Sequence, residues 1–344
     1  MLPWTRHKAA ARAAPVRIAP FALKCLRQHS LVFAMVLVAA GLNAPGVCRG
    51  DAASLPRGGG DELYFVDAHS QVDEDVGDLG LVIRRMDAAG VRRTILAARA
   101  GRKPGEIADF AARYPQRIVP SVRTKSDAFD KNPGKWREFI QAQTSSGRFG
   151  AMAEVLLYHA RKGNKAPEVR AFPDDDRARF ALLAATKQGW PFVVHIEFAS
   201  LSPPERERFM AGLEKLLNEN PAIPILLNHM GQLPPPEVAR LLKAHANFHL
   251  LTAHATSVIA RASKEPWTEM FDGDHLKPAW QELIESYPDR FVFALDNVWR
   301  QHWEAFYLEQ VAQWRQALEA LPPSVAHAVA HGNAERLWRL ETRH

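Results

Sequence analysis

Eight short apolar runs, each followed by a stretch of helical periodicity, constrain the fold of this chain more than any other feature. The runs predict strands over 63–66, 94–98, 118–122, 151–156, 192–195, 223–229, 248–252 and 291–295. Helical patterns lie between them at 79–89, 106–114, 136–144, 175–188, 203–218, 234–244 and 277–287, and two more close the chain at 303–321 and 324–339. Strands alternating with helices build a parallel sheet covered on both faces. Such a sheet is either closed into a barrel or left open and doubly wound. The open form wants a glycine-rich phosphate turn after the first strand. Gly77 and Gly80 do not form one, and the glycines at 58–60 precede the strand. The predicted fold is therefore α/β, a single (β/α)8 TIM-type barrel over residues 63–344.

The remainder of the chain reads as a leader and a linker. Residues 1–50 carry a basic segment, the apolar run Leu31 to Leu42, and then small and turn-forming residues, the order of a secretory signal. Twelve apolar residues fall short of the ~20 that span a membrane. Export to the periplasm or beyond is thus expected, with an uncleaved N-terminal anchor as the alternative and no other membrane contact. Residues 51–62 read as a flexible linker. The chain has 44 Lys and Arg against 38 Asp and Glu, but seven of the bases and no acid fall in the first 50 residues. The remainder is balanced to within one charge and shows no basic stripe, so nucleic acid is not an expected partner and a small-molecule substrate is. Self-association is left open. Cys25 and Cys48 both lie before residue 51, which excludes a thiol nucleophile and a zinc–thiolate centre from a chain cut beyond them.

In a barrel of this kind the reactive groups stand at the C-terminal ends of the strands. Those positions hold His69 and Gln71 in the stretch FVDAHSQ, Arg123, Glu154, His195, His229, Thr252 with His254, and Asp296. Asp67, His69 and Gln71 fall two apart, the spacing of one strand face. Barrel interiors favour branched apolar side chains, so stability alone calls for none of these polar groups. Trp299, Arg300, His302 and Trp303 follow the last strand and are read as a wall of the mouth, with Trp299 a substrate contact. His159, His245, His275 and His331 lie away from the inferred strand ends and are given no role.

The stretches FVDAHSQVD, MDAAGVRRTIL, RIVPSVR, VVHIE, LLNHMG, ALDN and HGNAERLW occur in this order over about residues 63–340. In this the sequence resembles the amidohydrolase-related family of metal-dependent hydrolases, in the branch with aminocarboxymuconate semialdehyde decarboxylase and pyrone-dicarboxylate lactonase. The resemblance implies a hydrolase of a small organic acid, lactone, ester or amide, with decarboxylation as the alternative. A non-catalytic binding barrel is the reading from another class. It also implies a divalent metal, zinc or manganese, on His69, Gln71, His195 and Asp296. His229 is implied as acid or base, and Asp296 as the acceptor of a proton from water. Gln71 departs from the pattern, which has a second histidine there. An amide oxygen is a weaker zinc ligand than imidazole, so a site without metal, as in some lactonases of the family, stays open. In that mode Arg123 is expected to clamp a substrate carboxylate, and Glu154 to face the substrate.

Overall fold

A computed structural model describes residues 63–162 and 168–340. The expected leader and linker, with both cysteines, lie outside the described residues. No helix among the described residues is long and apolar enough to cross a membrane.

The strands are β1 (Phe65–Val72), β2 (Val91–Ala98), β3 (Ile118–Val122), β4 in two pieces (Ala151–Met152 and Val155–His159), β5 (Phe192–Ile196), β6 (Ile225–Leu227), β7 (Phe248–Leu251) and β8 (Phe291–Val292). Each pairs in parallel with its successor from β1 to β4 and from β4 to β8. The ring closes just beyond β8. Ala68 N donates to Phe293 O at 3.0 Å, Asp296 N to His69 O at 2.7 Å, and Gln71 N to Asn297 O at 2.7 Å. The fold is the (β/α)8 barrel that the alternating runs predict.

The helices that cover the strands begin and end where the chain's punctuation requires. Proline starts α2 (Pro104–Arg113), α3 (Pro133–Thr144), α5 (Pro203–Glu219), α6 (Pro235–Ala244) and α7 (Pro278–Ser286), where a missing N–H costs nothing. Asp175 caps α4 (Asp176–Lys187) by accepting from Arg177 N at 2.8 Å. Gly90 ends α1 (Gly80–Ala89) in the left-handed region at φ 71°, open to glycine at little steric cost. The C-terminal pattern resolves into α8 (Tyr307–Glu319), preceded by a π-turn, and a second helical stretch in which Pro323–His327 runs through a π-turn into α9 (Asn333–Trp338).

Two apolar layers hold the barrel together. Val66, Ala68, Ile95, Ala151, Val193, Leu226, Leu251, Val292 and Ala294 fill its interior, and Ala334, Leu337 and Trp338 of α9 pack against them. Phe65, Phe192, Phe248 and Phe291 start their strands in the outer layer, under the helices. Full burial of a side chain of this size stabilises the fold by about 1.5–3 kcal/mol. Apolar groups fill most of the interior near the strand starts, where His249 is a buried exception.

β1 departs from the simple alternation read in FVDAHSQ. Asp67 pairs with Thr94 but Ser70 with Leu96, so β1 carries one extra residue in a bulge. Val66 and Ala68 face the interior before it, and the register returns Gln71 to that face, opposite Ala97, after it. Asp67 therefore does not share a face with His69. It accepts from Ser70 Oγ at 2.5 Å, His69 N at 3.2 Å and Leu295 N at 3.1 Å, stitching β1 to the chain beyond β8. Burial raises its carboxyl to about 6, against those three donors.

Candidate active site

Buried polar residues converge where the strands end. His69 and Gln71 stand within β1, which runs six residues past its predicted end at Val66. Glu154 lies between the two pieces of β4, His195 within β5, Asn228 and His229 after β6, His254 after β7 and Asp296 after β8. The turns carrying them are strained. His229, Met230, Gln232, His254 and Asp296 have φ between 50° and 59°, and they are five of the seven non-glycine residues with positive φ among those described. Each such conformation costs on the order of 1–3 kcal/mol and persists where surrounding structure over-determines it, as at functional sites.

Glu154, fully buried, is the centre of the cluster. Its Oε2 accepts from Asn228 Nδ2 at 2.5 Å and faces His195 Nδ1 at 2.8 Å, and its Oε1 is paired with the Lys125 ammonium. The second ring nitrogen of His195 lies 3.1 Å from Glu197 Oε1. Two nitrogens facing two carboxylates must both donate, so the ring is an imidazolium. Burial works against that charge, but Glu154 and Glu197 outweigh it and carry His195 up to about 9. Burial likewise opposes ionisation of Glu154, and Lys125 and His195 overcome it, holding the carboxyl well below its usual range. Glu197 in turn accepts from Lys162 Nζ at 2.9 Å, and Lys162 reaches Glu265 at 2.8 Å. Charges thus alternate along a buried chain, and each offsets the desolvation of the next.

This network predicts a pH dependence. A histidine whose folded pKa is raised from 6.5 to about 9 stabilises the fold fully below 6.5, and that contribution is lost as pH rises through 9. A shift of this size corresponds to roughly 3 kcal/mol. Denaturant unfolding at pH 6 and pH 10 should show the wild type losing about this much more stability than His195→Gln. An equal loss in both would mean that His195 is not charged in the fold.

His229 is set differently. Its Nδ1 lies 3.2 Å from Ala253 O and must donate there. Nε2 then carries a lone pair, 3.1 Å from the Asn228 amide nitrogen and 3.4 Å from Asp296 Oδ2. Burial, then the neighbouring His254 and His195, hold it well below the usual histidine range, so it stays neutral. Asp296 Oδ1 accepts from Gln71 Nε2 at 2.6 Å and lies 3.4 Å from His69 Nε2. That His69 nitrogen is buried and makes no hydrogen bond. It faces two carboxylates, Asp296 and, at 3.7 Å, Glu154 Oε1. Rings wall the rest of the pocket: His254 stacks on His229 at 4.5 Å between centroids, and Trp267 lies 4.7 Å from His229 and 4.9 Å from His254.

Of the predicted residues, His69, Gln71, Glu154, His195, His229 and Asp296 are brought together and Arg123 and Trp299 are not. Arg123 donates to the carbonyls of Lys125 at 2.8 Å, Ala100 at 2.8 Å and Arg102 at 3.1 Å. Its Nε and Nη1 thus tie loops together. Trp299 is 41% exposed, on the turn that leads into the last helices. Both oxygens of Glu154 are engaged by neighbouring side chains, Oε1 by Lys125 and Oε2 by His195 and Asn228. The chemistry of a divalent ion fits this pocket, where overlapping groups of three side chains could hold one. Gln71 turns its amide nitrogen to Asp296, and both ring nitrogens of His195 face carboxylates. His69, Glu154 and Asp296 form one such group, with ligand atoms all within 4.8 Å of one another, and Glu154, His195 and His229 form another. The 3.4 Å between His69 Nε2 and Asp296 Oδ1 is close to the ~3.3 Å edge of a tetrahedron with ~2.0 Å bonds.

Lys125, Lys162, Glu197 and Trp267 carry no sequence expectation. Glu197 follows His195 by two, the signal that joined His69 to Gln71. His159 ends β4 three residues beyond the predicted strand end, and its ring is 5.5 Å from that of His195.

A family model described as amidohydrolase matches residues 153–340, just over half of the chain. Among solved structures, 4-oxalomesaconate hydratase from Rhodopseudomonas palustris is 13% identical, covering 80% of this chain and 95% of its own, with a TM-score of 0.53. An uncharacterised TIM-barrel protein from Bordetella bronchiseptica is 15% identical over 76% of this chain and 83% of its own, at 0.51. A dihydroorotase from Campylobacter jejuni is 14% identical over 82% and 85%, at 0.50. No curated protein matches the sequence. At these identities the structural likeness speaks for the barrel alone.

Proposed function

The chain belongs to the amidohydrolase family, and from that premise we propose that it hydrolyses a small organic acid bearing a lactone, ester or amide bond, assisted by a divalent ion on His69, Glu154 and Asp296. One observation carries the reading: the buried Nε2 of His69, which makes no hydrogen bond and lies between two carboxylates, 3.4 Å and 3.7 Å away. A buried polar atom without a hydrogen bond is costly, and an ion between it and the carboxylates would satisfy all three.

When bound, a divalent ion supplies Lewis acidity, making water a nucleophile near neutral pH and polarising a carbonyl. The chain's own groups do the rest. Asp296 accepts the proton of the attacking water, with Oδ1 held by Gln71 and Oδ2 3.4 Å from His229 Nε2. His229 passes that proton to the leaving oxygen or nitrogen. Its neutral ring can receive one at Nε2, and a histidine held below its usual range releases it readily. His195 keeps Glu154 in place, and the rings of His254 and Trp267 exclude water from one side.

A metal-free lactonase-like mode is the second reading, favoured by Lys125, which already neutralises Glu154. Purified protein equilibrated with zinc or manganese should bind one ion and hydrolyse at least one member of a panel of carboxylated lactones, esters and amides. His69→Ala should lose the ion. Turnover without an ion selects the second reading, and neither ion nor turnover removes both.

A further inference from the structure

We propose that Lys125 competes with the divalent ion for Glu154, so that this one ammonium sets how tightly the pocket binds metal. The inference rests on the reading of His69, Glu154 and Asp296 as the ligands. Lys125 pairs with Oε1 of Glu154, the same oxygen that faces His69 Nε2 at 3.7 Å. The other oxygen cannot be offered instead, because His195 and Asn228 hold it at 2.8 Å and 2.5 Å. An ion that used Glu154 would have to displace the ammonium first.

Neighbouring contacts fix the lysine in that position. Arg123 ties Lys125 to a neighbouring loop by donating to the carbonyls of Lys125, Ala100 and Arg102. Thr124 Oγ1 donates to Glu154 O, and Thr124 O accepts from Trp136 Nε1 at 2.8 Å. Lys125 is 12% exposed and Glu154 not at all, so water screens the pair little. Removing Lys125 frees Oε1 and leaves one uncompensated carboxylate, both of which favour the ion.

The test is a Mn2+ titration of the full chain, reading free ion by its paramagnetic resonance signal. Lys125→Met, which keeps the length of the stem, should bind Mn2+ at least tenfold more tightly than the wild type. Lys125→Arg should stay near the wild type, and Lys125→Met with Glu154→Gln should lose the gain. Unchanged or weaker binding by a folded Lys125→Met overturns the proposal, including the case in which neither protein binds. Loss of binding in His69→Ala with equal binding by Lys125→Met rejects the competitor and keeps the ion site. Binding undiminished in His69→Ala rejects the ion site itself. Should Lys125→Met not fold, brief acetylation of the wild type decides. Saturating Zn2+ should speed modification of Lys125 by displacing it from Glu154, and an unchanged rate overturns the proposal.

Discussion

Asp296→Asn is expected to lower kcat about 1,000-fold while leaving the protein folded. The substitution keeps size and shape, and asparagine tolerates the φ of 50° at this position better than most residues. What it removes is the ability to take a proton. Positioned acid–base groups contribute typically 10²–10⁴-fold, and here the acceptor of the water proton and the donor to His229 are the same carboxylate. Asparagine also replaces a charged ligand oxygen by a neutral amide and can present an N–H to the Gln71 donor, 2.6 Å away, so the ion should be weakened as well. The measurement is kcat and KM on whichever substrate the hydrolysis panel identifies, with circular dichroism as the control for folding. A fall of less than tenfold would remove Asp296 from proton transfer. His229→Asn should cost a similar factor, and the double variant little more, because the two act in series on one proton.

The barrel was legible because its signal is repeated. Most residues of the apolar runs are buried, and mistakes at one strand do not alter the count. The strand ends were less legible, and there the site is built. β1 was predicted to stop at Val66, but hydrogen bonds to β2 and to residues 293–298 extend it through Val72. Such pairing is invisible in a local reading. The bulge that separates Asp67 from His69 is likewise a matter of register between strands. Placing β4's end at Leu156 hid His159. His69, His195, His229 and Asp296 could be found by chain position alone. Their roles could not, because the state of His195 depends on Glu154 and Glu197 reaching it from two sides, and the freedom of Glu154 depends on Lys125 from a third. Lys125 and Lys162 stand in loops, where sequence gives no direction to a side chain. Arg123 shows the converse: a residue well placed along the chain whose donors fold back on neighbouring carbonyls.

Glu154→Gln is expected to lower the unfolding free energy by about 3–5 kcal/mol, the usual cost of removing one partner from a buried ion pair. The carboxylate answers three donors at once: the Lys125 ammonium, the His195 ring and the Asn228 amide. Glutamine keeps one acceptor oxygen and adds two N–H groups that face donors, so at least one buried contact becomes repulsive. At roughly 2–4 °C per kcal/mol for a domain near this size, the midpoint of thermal unfolding should fall by about 10 °C. His195 can soften the loss by releasing its proton, and that gives the prediction a second readout. With Glu154 gone, the rise of His195 to about 9 should largely collapse, and the stability difference from wild type should narrow as pH goes from 7 to 10. Lys125→Met added to Glu154→Gln should recover part of the stability, because removing both charges of a buried pair costs less than stranding one. A loss under 1 kcal/mol that does not change with pH would mean that water reaches the pair and that Glu154 is not the electrostatic centre of the pocket. The ligand set of His69, Glu154 and Asp296 would then lose its second carboxylate, and the competition with Lys125 would lose its object.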